Sequence, residues 1–346
     1  MKLSIVIICW NDLKLIGDCL ASIYRTTRAT RFEVIVSDNG STDGSIKFIR
    51  QHYPTVRILE NGTNLGFSKG NNRGIQASEG EYVLILNPDT IIHGGTLDKW
   101  IQFADRHPEA GAFGCRILNP DGSLQYPARP FPTIWRYWLA ALHLRHLAYL
   151  SRVFVSDAYT GWKGDTERTI DQQQGCCILF RADLLRRLGG FDEQFNYHFE
   201  ETDLCYRVWQ AGYSVLYTPE VSITHLGGQS SAVRFPMWFQ LESYRNRYRY
   251  FYKYFGRKGV HRCRRVTLAF LRVRQLQYGL VRLIRPTEAL KNQMLIFRVS
   301  VAWNRHLDPV RLVEAGDEPD VEALQNGHPW KKEIIALLKN PVKSAN

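Results

Sequence analysis

The chain has 346 residues, 45% of them hydrophobic and 23% charged, with a formal net charge of +12. Such a chain buries a full core and is long for one domain but short for three, so one catalytic domain with an appendage is expected. No uncharged stretch approaches the about 20 apolar residues of a bilayer span, and Met1 to Cys9 has no small-residue cleavage site, so it reads as a core strand and not as a signal peptide.

Strand, turn and helix signals alternate from Lys2 to about Asp105. Strands are expected at Leu3 to Ile8, Phe32 to Val36, Val56 to Leu59 and Tyr82 to Leu86, with helices at Leu13 to Arg25, Ser45 to His52 and Asn71 to Ser78. That βαβα order builds a mostly parallel sheet. A Pro-rich aromatic stretch, Tyr126 to Pro132, runs into Trp135, Tyr137 and Trp138 and a helix expected to reach about Leu150. Ser151 to Gln174 is polar and turn-rich and reads as a mobile loop. Apolar order resumes at Cys176 to Phe180, followed by a helix from Ala182 to Leu188 that ends at Gly189-Gly190. Tyr217 to His225 reads as a further strand, and a short helix is expected near Glu333 to Leu338. The seven cysteines form no CxxC pair and no zinc-type spacing, and Cys9, Cys176, Cys177 and Cys205 lie in or beside apolar segments. Reduced, buried thiols and a cytoplasmic setting are expected.

Polar residues gather where the apolar strands stop. Asn87-Pro88-Asp89 follows Tyr82 to Leu86, Trp10-Asn11-Asp12 follows the first strand, and the turn from Ser37 to Ser45 follows the second. The carboxyl ends of parallel strands are where open α/β sheets bind ligands, and a carboxylate there is poised to hold a metal. His225 ends another strand just before Gly227-Gly228, so Asp89 and His225 together suit a divalent ion, with phosphate oxygens and water in the remaining positions. Farther along, Glu200, Asp203 and Arg207 share one helical face while Glu201 points elsewhere. For Glu200 and Asp203, capping and the helix dipole explain the acids at least as well as function does, so they stand as supporting acids, and Glu201 is the acid singled out from the cluster for chemistry.

These residues resemble the family 2 nucleotide-sugar glycosyltransferases over roughly Lys2 to Gly256. The resemblance rests on five matches in the family's order. They are the opening strand with Trp10-Asn11-Asp12, the turn Asp38 to Ser45, Asn64-Leu65-Gly66-Phe67 with Gly70-Asn71-Asn72 and Gly74, Asn87-Pro88-Asp89, and Gly189-Gly190-Phe191-Asp192-Glu193 with the acidic cluster after it. Asn-Pro-Asp and Arg129-Pro130-Phe131-Pro132 look most like the rhamnosyltransferase-like branch that acts on lipid-linked or cell-surface polysaccharides. The resemblance implies a GT-A-type α/β domain with a mostly parallel central sheet over residues 1–256, and a basic helical C-terminal region over 257–346. It implies that Asp38 would meet the pyrimidine edge, that Trp10, Asn11 and Asp12 would line the nucleotide pocket, and that Gly66, Phe67 and Asn71 would lie along the ribose and diphosphate. Asp89 would ligate Mg2+ or Mn2+ with His225 as a further ligand, and Glu201 would deprotonate the acceptor hydroxyl. Asn87 stands where the family's DxD motif has its first acid, and Glu201 stands where the family more usually has Asp. An inverting transfer of sugar, rhamnose favoured, from a nucleoside-diphosphate donor to a lipid-linked or saccharide acceptor is the activity implied.

Charge is concentrated in one segment. Arg234 to Arg285 holds 14 Lys and Arg against one acid, Glu242, so the rest of the chain is nearly neutral. Val266, Ala269, Phe270, Val273, Leu276, Leu280, Leu283 and Ile284 recur at helical spacing among Arg264, Arg265, Arg272, Arg274, Arg282 and Arg285, with Leu268 and Leu271 off the pattern. Two readings are open, a helix packed on the catalytic domain or one lying on an anionic membrane surface. The scarcity of acids and the aromatics from Tyr244 to Phe255 favour the membrane, on the inner face of which the protein would be peripheral. Nucleic-acid binding by this segment is the alternative, and it would leave Asp89, Glu201 and His225 without a role. The first strand lacks the GxGxxG turn of a dinucleotide-dependent oxidoreductase, which excludes that class.

Overall fold

Parallel pairing of three apolar strands organises the N-terminal part of the chain. The computed structural model describes residues 1–125, 128–142, 159, 162–227, 236–284 and 287–317. In chain order the elements are β1 (Leu3–Cys9), α1 (Leu13–Thr26), β2 (Phe32–Asp38), α2 (Ser45–His52), β3 (Arg57–Glu60), α3 (Gly66–Ala77), β4 (Tyr82–Leu86), β5 (Thr90–Ile92), α4 (Thr96–Arg106), β6 (Ala110–Leu118), β7 (Leu124–Gln125), β8 (Ala128–Arg129), α5 (Ile134–Ala141), β9 (Arg168–Ile170), β10 (Gln172–Gln173), β11 (Cys177–Arg181), α6 (Ala182–Arg187), α7 (Glu200–Gln210) and β12 (Ser214–His225). They continue with α8 (Pro236–Ile284), α9 (Glu288–His306) and α10 (Pro309–Ala315). Tyr126, Pro127, the helix end at Leu150, residues 151–158 and 160–161 of the loop expected from Ser151 to Gln174, Gly228, Arg234, Arg285 and the expected helix near Glu333 lie outside the described residues; the end of that expected loop instead forms β9 and β10, with Ile170 and Gln173 fully buried.

Contacts divide the chain into two compact units, Met1–Phe131 with Trp162–Ser230, and Pro132–Gly161 with Ser231–Asn346. The first holds the sheet, in the order β3-β2-β1-β4-β11-β6-β12-β5. β1 pairs in parallel with β2 and β4, while β11 enters antiparallel between β4 and β6. The sheet is therefore mixed but mostly parallel, as the strand and helix order implies. Alternation along β1 sets the layers. Leu3, Ile5, Ile7 and Cys9 are buried in the cluster that includes Ile16, Leu20 and Ile23 of α1 and Leu97 and Trp100 of α4. On the opposite face α3 lies so close to β1 that a Cβ on Gly74 would come within 2.3 Å of Val6 Cγ1. Side chains of a strand alternate between faces, so one run of β-branched residues supports helices on both sides.

Three boundaries differ from the sequence reading. α3 starts at Gly66 and not Asn71, because the Asn64 side chain accepts from the Gly66 N–H at 2.9 Å and turns the chain into the helix early. β5 begins directly after Asp89, and the long strand β6 is central to the sheet although its alternating small residues gave no clear signal. The seven cysteines are free and all buried.

The second unit is helical. α5 packs on α8, with the Tyr137 and Phe251 ring centroids 5.8 Å apart and the Arg247 guanidinium 4.4 Å from the centre of the Tyr137 ring. α8 bends at Gly256, whose backbone (φ 61°, ψ −165°) is not helical; the expected domain boundary thus falls at a kink within one long element. Arg264 donates to the carbonyls of Asn304 and Arg305, both at 2.8 Å, and so ties the end of α9 to α8. Val266 and Leu271 are fully buried while Leu276 and Leu280 are 71% and 64% exposed. The apolar face read from helical spacing is therefore split by position along the helix. Its first half is covered by neighbouring helices of the unit and its last turns are not.

Backbone proximity makes Gly80 a sensitive position. A Cβ there would stand 2.6 Å from Ser4 N and 2.7 Å from Tyr82 O, both main-chain atoms that cannot swing aside. Gly80→Ala is expected to cost about 1–3 kcal/mol in chemical denaturation, whereas Gly94→Ala is expected to stay within about 0.5 kcal/mol. Gly94 is a matched control because nothing lies within 4 Å of a Cβ there.

Candidate active site

Register brings the candidate residues to one edge. Cys9 is opposite Asp38, Ile7 is opposite Leu86, and Leu86 is opposite Cys177, so the segments that follow β2, β1 and β4 and precede β11 emerge side by side. Asp38 and the Asn87 to Asp89 segment are two strand spacings apart, roughly 10 Å. The connections diverge on either side of β1, which makes this edge the crevice where ligands bind in open α/β sheets.

Much of the polarity here holds loops together. Asn11 sits at φ 58°; its N–H donates to Ser41 Oγ at 2.9 Å and its Oδ1 accepts from the Thr42 N–H at 2.8 Å. Asp12 Oδ2 accepts from the Trp10 N–H at 2.8 Å, and the N–H of Leu13 is satisfied by Asp43 Oδ2 at 2.9 Å. Burial pushes the Asp43 carboxyl up, but hydrogen bonds from Ser45 and from the Leu13 and Ser45 amides outweigh it and hold the group below its ordinary range. Asp38 is buried and accepts from the amides of Gly40 and Ser41. Ser41, Thr42 and Asp43 thus join the β1 and β2 loops, a role that the turn composition of the segment signalled only in general terms.

α3 supports the crevice from below. Gly66 adopts φ +80°, Phe67 packs edge-on against Phe191 with centroids 5.7 Å apart, and Asn71 donates to the Phe67 carbonyl at 3.0 Å. All three are buried, so their side chains shape the floor; Trp10 and Asn87 are half-buried at its rim. Asn72, which sequence reading did not single out for function, holds the Phe191 amide and carbonyl, each at 2.9 Å, and so fixes the loop that leads to the acidic helix.

Two carboxylates stand apart from this scaffolding. Asp89 is 7% exposed, and its Oδ1 is buried and accepts no hydrogen bond. Its Oδ2 lies 3.3 Å from His225 Nε2, and His225 Nδ1 lies 2.7 Å from Gln125 Oε1. Gln125 donates its amide nitrogen to Asn119 Oδ1 at 2.9 Å, which aims its oxygen at the imidazole. An amide oxygen only accepts, so Nδ1 carries a proton and Nε2 is the ring nitrogen turned toward Asp89. Among the described residues no group of three or more His, Cys, Asp or Glu converges as a metal site. An ion held by this pair would take its remaining positions from phosphate oxygens and water, unlike a closed structural metal.

Glu201 is the second such carboxylate. His198 and Phe199 adopt φ 67° and 71° just before α7, a costly backbone that turns the chain sharply at the helix start. Glu201 Oε2 is buried without a hydrogen-bond partner, and Gly175 lies against its side chain. Burial pushes its carboxyl above the ordinary glutamate range, opposed by its own amide, the Arg129 charge and the Thr202 amide. Cys176, whose thiol is held well up by burial, feels the charges of both Asp89 and Glu201. Asp203 is fully buried against Arg207 at 2.7 Å, and Arg207 also donates to the Leu188 and Gly190 carbonyls at 2.7 and 2.8 Å. Asp203 thus orients a structural arginine, and Glu200 is buried beside it.

The architecture is that of the GT-A glycosyltransferases. A crystal structure of S. aureus TarS (residues 1–349) aligns with a TM-score of 0.50 at 16% identity, covering 94% of this chain and 83% of that one. A crystal structure of GalNAc-T7 with UDP, GalNAc and Mn2+ aligns at 0.52 with 14% identity, covering 72% and 47%. Residues 4–188 match the family model described as glycosyl transferase family 2, and the chain belongs to that family. It is also 34% identical over 205 residues to the N-acetylglucosaminyl-diphospho-decaprenol L-rhamnosyltransferase of Mycobacterium tuberculosis, across 56% of this chain and 66% of that relative's length. The family match includes Asp38 and Asp89 and stops before Glu201 and His225.

The raised Glu201 carboxyl has a consequence for stability. A group whose folded-state pKa lies above its unfolded value contributes fully below the unfolded value, and the contribution is lost as pH rises through the folded one. Glu201→Gln is expected to raise Tm at about pH 8, with the gain shrinking toward about pH 4, as checked by calorimetry across that range.

Proposed function

We propose that the protein is an inverting, metal-dependent glycosyltransferase that moves a sugar, rhamnose favoured, from a nucleoside-diphosphate donor to a lipid-linked or polysaccharide acceptor in cell-surface glycan synthesis. The observation that carries this reading is that Asp89 Oδ1 and Glu201 Oε2, both near Cys176, are buried acceptors without a hydrogen-bond partner in a chain of family 2, as is the neighbouring Glu200 Oε2. The sugar and the acceptor class are supported by the name of the mycobacterial relative.

Asp38 would meet the base, the β1 and β2 loops would hold the nucleoside, and Asp89 and His225 would bind Mg2+ or Mn2+ at the diphosphate. Such an ion supplies positive charge for the departing diphosphate. Asn87 contributes no charge, so the two ligands on the chain carry that duty with the donor's own oxygens. Glu201 takes the proton from the acceptor hydroxyl while its oxygen bonds to the anomeric carbon, and the carbon–oxygen bond to the diphosphate breaks with its electron pair on the leaving group. A single displacement inverts the anomeric centre. A carboxyl raised by burial is a stronger base, which suits this task.

The test is release of nucleoside diphosphate from a panel of nucleotide sugars with bacterial membrane extract as acceptor, with and without chelator. Extract-stimulated, chelator-sensitive release from one donor is expected. Asp89→Ala and Glu201→Gln are each expected to lower turnover by about 10²-fold or more, with near-wild-type circular dichroism. Product stereochemistry showing retention, or a Glu201→Gln enzyme with near-full turnover, would overturn the role given to Glu201.

The same reading places the protein peripherally on the inner face of the plasma membrane. Among the described residues no helix is long and apolar enough to cross a membrane. Leu276, Leu280 and Val281 are exposed near the end of α8, with the exposed Arg272 one turn away. Leucines beside arginines suit an anionic interface. Leu276→Asp with Leu280→Asp is expected to reduce co-sedimentation with vesicles containing anionic phospholipid several-fold and to leave turnover of a soluble acceptor analogue unchanged; unchanged co-sedimentation would sink the membrane role.

A further inference from the structure

Arg129 stands out among the charged residues of the first unit. It is exposed, and among the described residues it forms no ion pair and its side chain donates no hydrogen bond. The two-residue strand β8 places it opposite Gln172 of β10. Gln172 accepts from the hydroxyl of Thr202, the residue after Glu201, and donates to the Pro130 carbonyl at 3.2 Å. Strand β8, strand β10 and the first turn of α7 are thereby joined through one amide side chain. The Phe131 amide is held in addition by Asp171 Oδ2 at 2.6 Å, so the segment that carries Arg129 is anchored on both sides of the pair.

We infer that Arg129 is a positioning residue for Glu201: the β8–β10 pair holds its guanidinium beside the first turn of α7 as the positive charge that the base faces. The inference rests on Glu201 being the base. α7 packs on β6, β10 and β12. Arg129 from β8, the Cys176 thiol just before β11 and the Cys205 thiol of α7 itself interact electrostatically with Glu201. Both thiols are pushed up by burial and stay neutral, Cys205 to about 12. Of the acids in the same turn, Asp203 is paired with Arg207. Asp171 is engaged with the Phe131 amide. Burial raises the Glu201 carboxyl, and Arg129 is the cation that opposes this. A general base must be ionised before it accepts a proton, so this opposition sets how low a pH the enzyme tolerates.

The test is the pH dependence of kcat/KM for Arg129→Met, with deoxythymidine-diphosphate rhamnose and a short-chain alkyl N-acetylglucosaminyl diphosphate as the substrates. Removing the cation leaves burial unopposed, so the acidic limb is expected to move up by about one pH unit, with activity recovered on the alkaline plateau. Arg129→Lys is expected to keep the limb near its wild-type position. A limb that does not move, with the KM for the alkyl diphosphate raised at every pH, would overturn the inference and make Arg129 an acceptor-phosphate ligand instead. Glu201→Gln measured alongside separates the two readings: near-full turnover there rejects Glu201 as base whatever Arg129 does. Because Arg129 is exposed, an unchanged Tm is expected at about pH 4, where Glu201 is protonated, and checks that the profile reports the site and not the fold.

Discussion

Parallel pairing of β1 with β2 on one side and β4 on the other is the constraint on which the rest of the structure depends. Pairing in register aligns the strand ends, and the ends carry the polar residues. A slip of one residue would reverse every side chain between the two helical layers, so burial of Leu3, Ile5 and Ile7 on one face and Val6 on the other fixes the register strongly. Asp38, Trp10 and Asp89 therefore reach the same crevice as a consequence of core packing.

The polar residues at that crevice divide into two groups by what they touch. Asn11, Asp12, Asp43, Asn64 and Asn72 accept or donate to main-chain groups of neighbouring loops and so satisfy backbone that would otherwise be buried without partners. Asp89 and Glu201 keep buried oxygens that no protein donor meets. Leaving such atoms unpaired costs stability, and folds retain that cost where a ligand or ion supplies the missing partner. The same contrast separates the acids of α7. Asp203 is held by an arginine that braces the preceding loop, and Glu201 is not.

The helical unit has its own internal order. Tyr248 and Asn304 join α8 to α9, Arg257 and Glu314 join α8 to α10, and Trp303 is fully buried. Its arginines are not one solvated face. Arg264 caps α9, Arg247 stacks on tyrosine, and Arg272 is exposed. A high positive charge in sequence thus resolves into packing duties for some residues and surface charge for others.

By itself the sequence determined the α/β class, the ends of the apolar strands and the identity of the acids that gather there. Buried strands are short runs of Val, Ile and Leu, and the polar residues at their ends must serve either turns or ligands. It also marked Glu201 apart from its neighbours through helical spacing. Only the tertiary structure decided which of those polar residues are consumed by loops, because hydrogen bonds such as Thr42 to Asn11 and Asn72 to Phe191 span 31 and 119 positions and have no local signature. The 3.3 Å contact of Asp89 with His225, a pair that the strand ends already suggested, and the pairing of Arg129 with Gln172 are products of register, since each joins residues on separate elements. The split of the α8 apolar face was hidden for a related reason: helical spacing shows which residues share a face, and the neighbouring helices decide where along it that face is covered.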